Sequence, residues 1–455
     1  MLLTVPATPI GESLTLQTFR AEDAAALPGP EWLRERRVAS QAAFASTALP
    51  TESEEVWRYS PIDELDLDQF APATTPSDTA GAAAGLASAV SALGSLSGQV
   101  LVRNGQPGDF ESDGEHSAFG FGGTADVADA EEMVGHVQVG GDALVLLNDA
   151  FFPDAVLIDV PAGVVVPHPV LIMHWCDQDK DESLPNGAAF PRTSVRLGTN
   201  AQASVVEIYA GPAGLARSLI VPVTELEAGE GASLSYVSLQ ILNEAAWSLA
   251  RLAARGGQDA SLRTFTVGLG GDYDRVRADV SVVGKGAHSE ILSAYLGNGT
   301  QVHDIRTLQD HVAPRTTSEL LCQGAVAGTS RSVYSGLIRV HRGAVRTDAR
   351  QTNHNLVLDE GAHADSVPNL DILENDVKCS HASTVGPIDE DQRYYIESRG
   401  IAPDVAEGLI VQGFFDAIID RGPIGAATPL LRREVHERLS VALGQRRIAS
   451  AVTGV

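Results

Sequence analysis

Short runs of β-branched and other apolar residues, separated by turns of Gly, Asn and Asp, follow one another from Val100 onward. In residues 261–270, for example, Phe265, Val267 and Leu269 alternate with Thr or Gly and share one face. An apolar residue at every second position is typical of a β-strand with one buried side. The pattern predicts an all-β region with strands at 100–105, 143–151, 156–160, 163–175, 204–211, 233–241, 261–270, 278–284, 289–297, 332–340 and 344–351.

A Gly-Ala turn followed by a short strand recurs within this region, at 229–234, 284–289, 341–346 and 360–365. Such a repeat indicates the stacked rungs of a β-solenoid, in which each rung buries its inner residues against its neighbours. Only residues 243–254 suggest a helix between the strands, which argues against a βαβ architecture. A β-sandwich with ordinary glycine turns is the alternative.

The N-terminal part of the chain has a helical pattern. Residues 30–48 begin with a proline, which suits the first turn of a helix, and place Leu33 and Phe44 among charges and alanines. Residues 71–99 are rich in Ala, Gly and Ser, and we interpret them as a flexible linker or a loosely packed small helix. Together, residues 1–99 are assigned to an N-terminal helical region that includes this linker.

Helical signals return near the C-terminus. Asp389 is a good N-cap, Gly400 stands where a helix would end, and Pro403 suits the first turn of a second helix. That second helix is apolar on nearly all sides, so it is expected to pack on the β region or to dock a partner. We assign residues 387–455 to a C-terminal helical domain, which leaves 100–386 for the β core.

Charge and composition exclude several classes of protein. The 455 residues include 59 acidic and 32 basic ones, and a net charge of -27 argues against nucleic acid or an anionic membrane surface as a partner. No apolar run is long enough to span a membrane, and the N-terminus does not read as a signal peptide. Three widely spaced cysteines form no disulfide framework, which favours a reducing, cytoplasmic location.

Common catalytic motifs are absent. None of the three lysines, Lys180, Lys285 and Lys378, is followed by Ser or Thr, so there is no P-loop, and no Gly-x-Ser-x-Gly elbow occurs. A carbohydrate-active β-helix enzyme would need exposed aromatic residues for sugar stacking, and only 5% of the residues are aromatic. No catalytic residue set stands clear of the background, so we expect a protein that is not an enzyme.

One pair of residues suggests metal chemistry. Cys379 and His381 are two apart, so on a strand both side chains face the same side. A thiolate and an imidazole suit iron–sulfur, zinc or copper centres, and the neighbouring Lys378 is expected to lower the pKa of the Cys379 thiol. The alternative is a buried cysteine and a histidine with a structural role near a domain junction.

The segment around this pair, residues 365–401, resembles the C-terminal signature of the SufB/SufD family of iron–sulfur cluster assembly scaffolds. Residues 311–340 and 347–368 resemble the blocks that precede it, and PTESEEVWRY at 50–59 resembles an N-terminal motif of the family's SufD branch. The resemblance covers most of the chain.

Two details bear on the branch of that family, of which one agrees with SufD and one departs from it. The Cys-Ser-His order at 379–381 resembles the SufD branch, since SufB-type subunits typically have a Glu after the His and no Cys two before it. Ala382 departs from the SufD branch, which commonly has Gly there, and a positive φ at this position would strain an alanine.

The resemblance implies a right-handed parallel β-helix flanked by N- and C-terminal helical regions, in agreement with the solenoid interpretation. It also implies pairing with a SufB-type subunit through β-helix edges, and docking of a SufC-type ABC ATPase on the C-terminal helices. The chain is then a non-catalytic scaffold subunit without a permanently bound cofactor. The ATPase activity belongs to SufC, whose motion would strain the interface with SufB.

A transient iron–sulfur cluster or iron is expected at that interface. The resemblance favours His381 as the ligand or iron-entry residue, with Cys379 as the second candidate, because sulfur chemistry in the family belongs mainly to SufB. Glu374 and Asp376 are candidates for guiding iron, or form a solvated acidic face. Two further alternatives stay open: a homodimer when the chain is alone, and a purely structural partner of SufB without metal ligation.

Overall fold

Two long β-sheets form the centre of the molecule. The computed structural model describes residues 18–73, 79–113, 118–138, 141–177, 186–214 and 217–453, with side chains up to residue 444. Within these residues one sheet, sheet A, has 12 strands: β1 (Phe70–Pro72), β4 (Gly120–Gly122), β5 (Val156–Val160), β7 (Asn186–Ala189), β8 (Arg192–Leu197), β10 (Ser218–Ile220), β11 (Val223–Ala228), β13 (Ala246–Gly256), β15 (Tyr273–Val282), β17 (Val302–His311), β19 (Arg331–Val340) and β21 (His363–Ile372). The other, sheet B, has ten strands in the same part of the chain: β2 (Gly98–Arg103), β3 (Gln106–Ser112), β6 (Val170–Trp175), β9 (Gln202–Ala210), β12 (Ser233–Gln240), β14 (Ser261–Gly268), β16 (His288–Gly297), β18 (Thr317–Val326), β20 (Asp348–Val357) and β22 (Lys378–Gly386).

From β11 onward the chain alternates between the two sheets, so each strand pairs in parallel with the strand two places along. From β12 onward, one turn takes between 26 residues, as from Trp247 to Tyr273, and 32 residues, as from Arg331 to His363. The result is a parallel β-solenoid of about seven turns, which confirms the solenoid and excludes the sandwich. Two antiparallel pairings, β3 on β2 and β4 on β5, lie at its N-terminal end.

The recurring Gly-Ala turns form corners of the solenoid. The turns that begin at 229, 284 and 341 lie at one corner, where the chain passes from sheet A to sheet B, and each closes with a backbone hydrogen bond across three residues. Their third residue is a glycine with positive φ, for example +65° at Gly231, as a type II turn requires. The copy at 360–365 lies at the opposite corner, before β21, which explains the irregular spacing of the copies.

Several assignments of secondary structure from the sequence need correction, among them the strand expected at 163–175, of which only Val170–Trp175 forms a strand. Residues 143–151 form a helix, because Asp142 caps its N-terminus by accepting hydrogen bonds from the backbone N–H groups of Leu144 and Val145. A short apolar run of this kind does not distinguish strand from helix by its periodicity. Residues 243–254, the suggested helix, lie largely in β13, which pairs on both sides with β11 and β15. The strand expected at 344–351 begins only at Asp348.

Helices pack around the solenoid. They are α1 (Ala21–Ala26), α2 (Glu31–Ala45), α3 (Thr79–Leu93), α4 (Ala130–Met133), α5 (Ala143–Phe151), α6 (Glu390–Glu397), α7 (Pro403–Ile419) and α8 (Thr428–Thr453). The expected helices at 30–48, 389–400 and from Pro403 are confirmed. Of the Ala/Gly/Ser-rich residues 71–99, α3 takes up 79–93, whereas 74–78 lie outside the described residues. No helix in the described part of the chain is long and apolar enough to cross a membrane.

The C-terminal helices cover the outer face of sheet B. Val411 and Phe415 of α7 belong to one buried cluster with Phe265 and Val267 of β14, whose side chains point away from the interior of the solenoid. Burying apolar side chains from several elements in one cluster is the main stabilising term of such a contact. The helix α7 also packs on α8, whose Leu431 and Val435 belong to the same cluster, and these two neighbours explain why α7 is apolar on more than one side.

The N-terminal motif at 50–59 attaches to the outer face of sheet A. Trp57 is buried, and the guanidinium carbon of Arg275 lies 3.7 Å from the centre of its ring. Arg275 Nη2 donates to the backbone oxygen of Val56 at 2.6 Å, and Arg306 Nη2 donates to that of Arg58 at 2.6 Å. The resembling motif therefore holds the N-terminal region on the solenoid.

Candidate functional site

The solenoid is open at its C-terminal end, which we call the mouth and define by β21 and β22. Each is the last strand of its sheet: β21 pairs with β19, β22 pairs with β20, and no strand in the described part of the chain covers their outer edges. The side chains of the inner strands are mostly buried, whereas most of those of β22 are exposed. The mouth therefore presents two rows of free backbone N–H and C=O groups.

Cys379 and His381 both lie on β22 at this mouth. Cys379 is in register with Ala349 and His381 with Gln351, and both of these partners on β20 are buried. The two candidates therefore point to the inside of the solenoid, as the spacing predicts. Their surroundings differ, since Cys379 packs on a small apolar cluster that includes Ala349 and Val340. The His381 side chain is exposed and makes no hydrogen bond or ion pair within the described residues.

The thiol of Cys379 does not have the lowered pKa that the sequence suggests. Burial raises its pKa, the carboxylate of Asp348 adds to the rise, and Lys378 does not offset these effects. The expectation about Lys378 is therefore wrong. With a raised pKa, the thiol of Cys379 stays neutral until a metal displaces its proton. Only the thiolate is a good nucleophile or metal ligand, so Cys379 is unreactive in this environment.

The other two cysteines are fully buried free thiols. Cys176 lies just after β6, and Cys322 lies on β18 with its side chain inside the solenoid. Burial raises the pKa of each to about 12. Neither thiol is exposed to solvent, so neither can serve as an accessible sulfur acceptor in this conformation.

The mouth offers only part of a metal site. Among the residues that the structure describes, no group of three or more His, Cys, Asp or Glu side chains could hold a metal ion. Glu374 instead caps a corner, accepting hydrogen bonds from the backbone N–H groups of Gly343 and Asn375, which lower its pKa. The carboxylate oxygen Oδ2 of Asp376 lies 3.7 Å from Nε of Arg346. A metal at His381 would therefore need ligands from another molecule.

Apolar side chains are exposed at the mouth, and two aromatic ones are exposed on α6, the helix that follows it. Leu370 and Ile372 of β21 and Val385 of β22 are each at least 39% exposed, and Tyr394 and Tyr395 of α6 are 73% and 60% exposed. Scattered exposed apolar residues are ordinary, but a group at one end of the molecule is typical of an interaction surface. The free strand edges lie at the same place.

Sequence reasoning missed the polar residues directly behind the site. Gln351, Asn353 and Asn355 on β20 point into the solenoid and are almost completely buried. Their spacing of two in an otherwise strand-like segment was visible, but polar residues at such positions are usually assigned to the solvent side. The departure at Ala382 causes no strain, because it lies within β22 and has no positive φ.

Comparisons with known proteins agree with this geometry. Residues 178–414, just over half of the chain, match the family model described as SUF system FeS cluster assembly, SufBD core domain. The chain belongs to the SufB/SufD family. Within that family it is SufD-like, with 27% identity to the iron-sulfur cluster assembly protein SufD of Escherichia coli over 81% of this chain and 84% of the relative.

Two further relatives support the same assignment. The SufD protein of Bacillus subtilis is 26% identical over 66% of this chain and 68% of the relative. An iron-sulfur cluster assembly SufBD family protein of Mycobacterium tuberculosis is 41% identical over 198 residues, which are 42% of this chain and 48% of the relative. The match to the mycobacterial relatives thus spans about half of their length.

Proposed function

We propose that this SufD-like protein is a scaffold subunit that assembles iron–sulfur clusters together with a SufB-type subunit and a SufC-type ATPase. The observation that supports this proposal is the mouth, where two strand edges, a group of exposed apolar side chains and the free imidazole of His381 lie together. Exposed strand edges are usually covered or paired in stable proteins. The edges of a SufB-type solenoid would pair with β21 and β22 by strand addition.

In this proposal iron and sulfide are the substrates, and His381 supplies one ligand to them. A neutral imidazole is a good ligand for iron, and His381 has no competing partner within the described residues. The SufB-type subunit supplies the remaining ligands across the interface. Cys379 is the second candidate, but its thiol is packed and its pKa is raised, so it would bind only when metal displaces its proton.

The C-terminal helices would connect the ATPase to the mouth. The short α6 begins four residues after β22 ends at Gly386, so a movement of the helices acts directly on the strand that carries His381. On α7, Val405 and Leu409 are exposed although the buried side chains of the helix pack on sheet B and α8, and they offer apolar contacts to a SufC-type subunit. The chain itself is then non-catalytic, and ATP hydrolysis occurs in the partner.

The experiment is co-expression with the SufB- and SufC-type proteins of the same organism, purification, and anaerobic reconstitution with ferrous iron and sulfide. We expect the three proteins to co-purify and to show iron–sulfur absorbance, which His381→Ala abolishes while the complex still assembles. His136→Ala is the matched control, because His136 is an exposed histidine in the loop after α4, beside β11 and β13 and away from the mouth. If the wild-type chain captures neither partner, the proposal fails.

A second candidate function is that of a purely structural partner of SufB. It is favoured by the packing of Cys379 and by the incomplete ligand set at the mouth. The same experiment separates the two functions, because a structural partner would give normal cluster absorbance with His381→Ala. Loss of the complex itself in that variant would equally indicate a structural role.

We further propose that the chain pairs mouth to mouth as a homodimer when the SufB-type subunit is absent. Both copies then cover the same exposed strand edges, as a symmetric interface requires. Light scattering of the isolated protein tests the pairing, and a monomer at all concentrations contradicts it.

The three free thiols fit a reducing compartment such as the cytoplasm.

A further inference from the structure

A chain of five uncharged side chains runs inside the solenoid and ends at the mouth. The hydroxyl of Tyr295 donates to Asn355 Oδ1, and Asn355 Nδ2 donates to Asn353 Oδ1 at 2.8 Å. Ser366 Oγ donates to the same oxygen of Asn353 at 2.9 Å, and Ser383 Oγ donates to Ser366 Oγ at 2.7 Å. We call these five residues the lumen network.

The network reaches from the deep interior to the surface. Tyr295 on β16 and the two asparagines on β20 are almost fully buried, whereas Ser383 on β22 is exposed. Tyr295 reaches Asn355 by crossing the intervening strand β18 at Gly324, where a Cβ atom would overlap the tyrosine ring. A glycine at this position therefore allows a side chain from one turn to anchor a strand two positions further along sheet B.

The network also joins the two sheets at the mouth. Asn353 lies on β20 of sheet B, Ser366 on β21 of sheet A, and Ser383 on β22 of sheet B. Because β22 has a backbone partner on one side only, its side-chain contacts contribute more to its position than they would for an inner strand. Hydrogen bonds in a buried network polarise one another and favour a single arrangement.

His381 lies between two anchor points of β22. Ser383, two residues after it on the same face, is held by the lumen network, and Cys379, two residues before it, is held by the apolar cluster around Val340 and Ala349. The backbone of His381 is thus held on both sides while its imidazole stays free. We propose that the lumen network positions His381, so that Tyr295, buried in the interior, determines where the imidazole is presented to a partner.

This inference rests on the proposed role of His381, and a pair of tyrosine variants tests it. Tyr295→Phe removes the hydroxyl that anchors the network. Tyr236→Phe is the matched control: Tyr236 is also fully buried inside the solenoid, but its hydroxyl bonds Glu207. We expect Tyr295→Phe to raise amide hydrogen exchange in residues 378–386 about tenfold, the factor that corresponds to one lost hydrogen bond, and Tyr236→Phe to leave it unchanged.

Cluster formation with the partner subunits supplies the second readout. We expect Tyr295→Phe and Ser383→Ala to lower cluster yield several-fold in complexes that still assemble, with Ser383→Thr restoring it by keeping the hydroxyl. Ser383 is exposed, so its variants fold even where Tyr295→Phe does not. If Tyr295→Phe, or Ser383→Ala in its place, matches Tyr236→Phe in both measurements, the inference is overturned. If His381→Ala leaves cluster formation intact, the proposed function fails. Amide hydrogen exchange in β22 then still decides whether the lumen network positions that strand.

Discussion

Cys379 shows how strongly the surroundings of a residue determine its chemistry. Its sequence neighbours, Lys378 and His381, suggest a reactive thiol, but the strand places it against Val340 and Ala349 and close to Asp348. Burial and a nearby carboxylate both disfavour the thiolate, so its pKa rises. His381, two positions further along the strand, lies outside that apolar cluster, and its side chain is exposed.

The raised pKa predicts the pH dependence of thiol modification. A raised pKa means less thiolate at a given pH, so we expect iodoacetamide to modify Cys379 more slowly in the native protein than in the urea-unfolded chain. The native rate should increase as the pH is raised from neutral. Cys176 and Cys322 should react only after unfolding, because both are buried with pKa values of about 12. Mass spectrometry of the peptides measures all three, and fast native labelling of Cys379 at neutral pH would contradict the account.

Two glycine substitutions should change stability in opposite directions. Gly324→Ala places a methyl group in the ring of Tyr295, and overpacking of this kind costs about 1–3 kcal/mol. Gly413→Ala lies in α7 with no atom near its added Cβ, and replacing an exposed helical glycine stabilises by about 0.5–1 kcal/mol. Urea unfolding measures both changes in the free energy of unfolding. Equal effects would show that Tyr295 is free to move away from Gly324.

At the scale of elements, sequence periodicity was informative where apolar side chains alternate with polar ones along a strand. The strand β14 was predictable for this reason, because Phe265 and Val267 alternate with Thr264 and Thr266, although the structure buries both faces there. The helix α5 was not, because its run of apolar residues lacks a period and only the cap at Asp142 distinguishes it. The mutual contact of Tyr295 and Asn355 was beyond reach, since it depends on the register of turns 60 residues apart.

The N-terminal motif at 50–59 provides a prediction about how its segment is held on the solenoid. Trp57 joins its segment to sheet A through its buried ring and the stacking of Arg275 on that ring. Trp57→Ala should lower the free energy of unfolding by about 3–5 kcal/mol, the usual cost of truncating a buried aromatic residue. Limited proteolysis should then cut the segment before β1 first. Val56→Ala, at an exposed neighbour, is the control and should change neither result.

At the scale of the whole molecule, the two ends of the solenoid differ. At the N-terminal end, β3 and β4 add antiparallel strands to β2 and β5. At the mouth, β21 and β22 end without such a cover in the part of the chain that the structure describes. We therefore propose that the sheets extend into another molecule at this end and that this partner completes the site at His381.

A charge placed at the mouth tests whether this end is an interface. Leu370→Lys puts an ammonium group on β21, across from the strand that carries His381, where a docked partner would have to bury it. Because Leu370 is exposed in the isolated chain, the substitution should change the free energy of unfolding of the protein by no more than about 0.5 kcal/mol. Val38→Lys, at an equally exposed position on α2, is the control. We expect Leu370→Lys to weaken capture of the SufB-type subunit at least tenfold and Val38→Lys to leave it unchanged. If both variants bind as the wild type does, the partner contacts another surface, and the exposed strand edges have to be explained by pairing between copies of this chain.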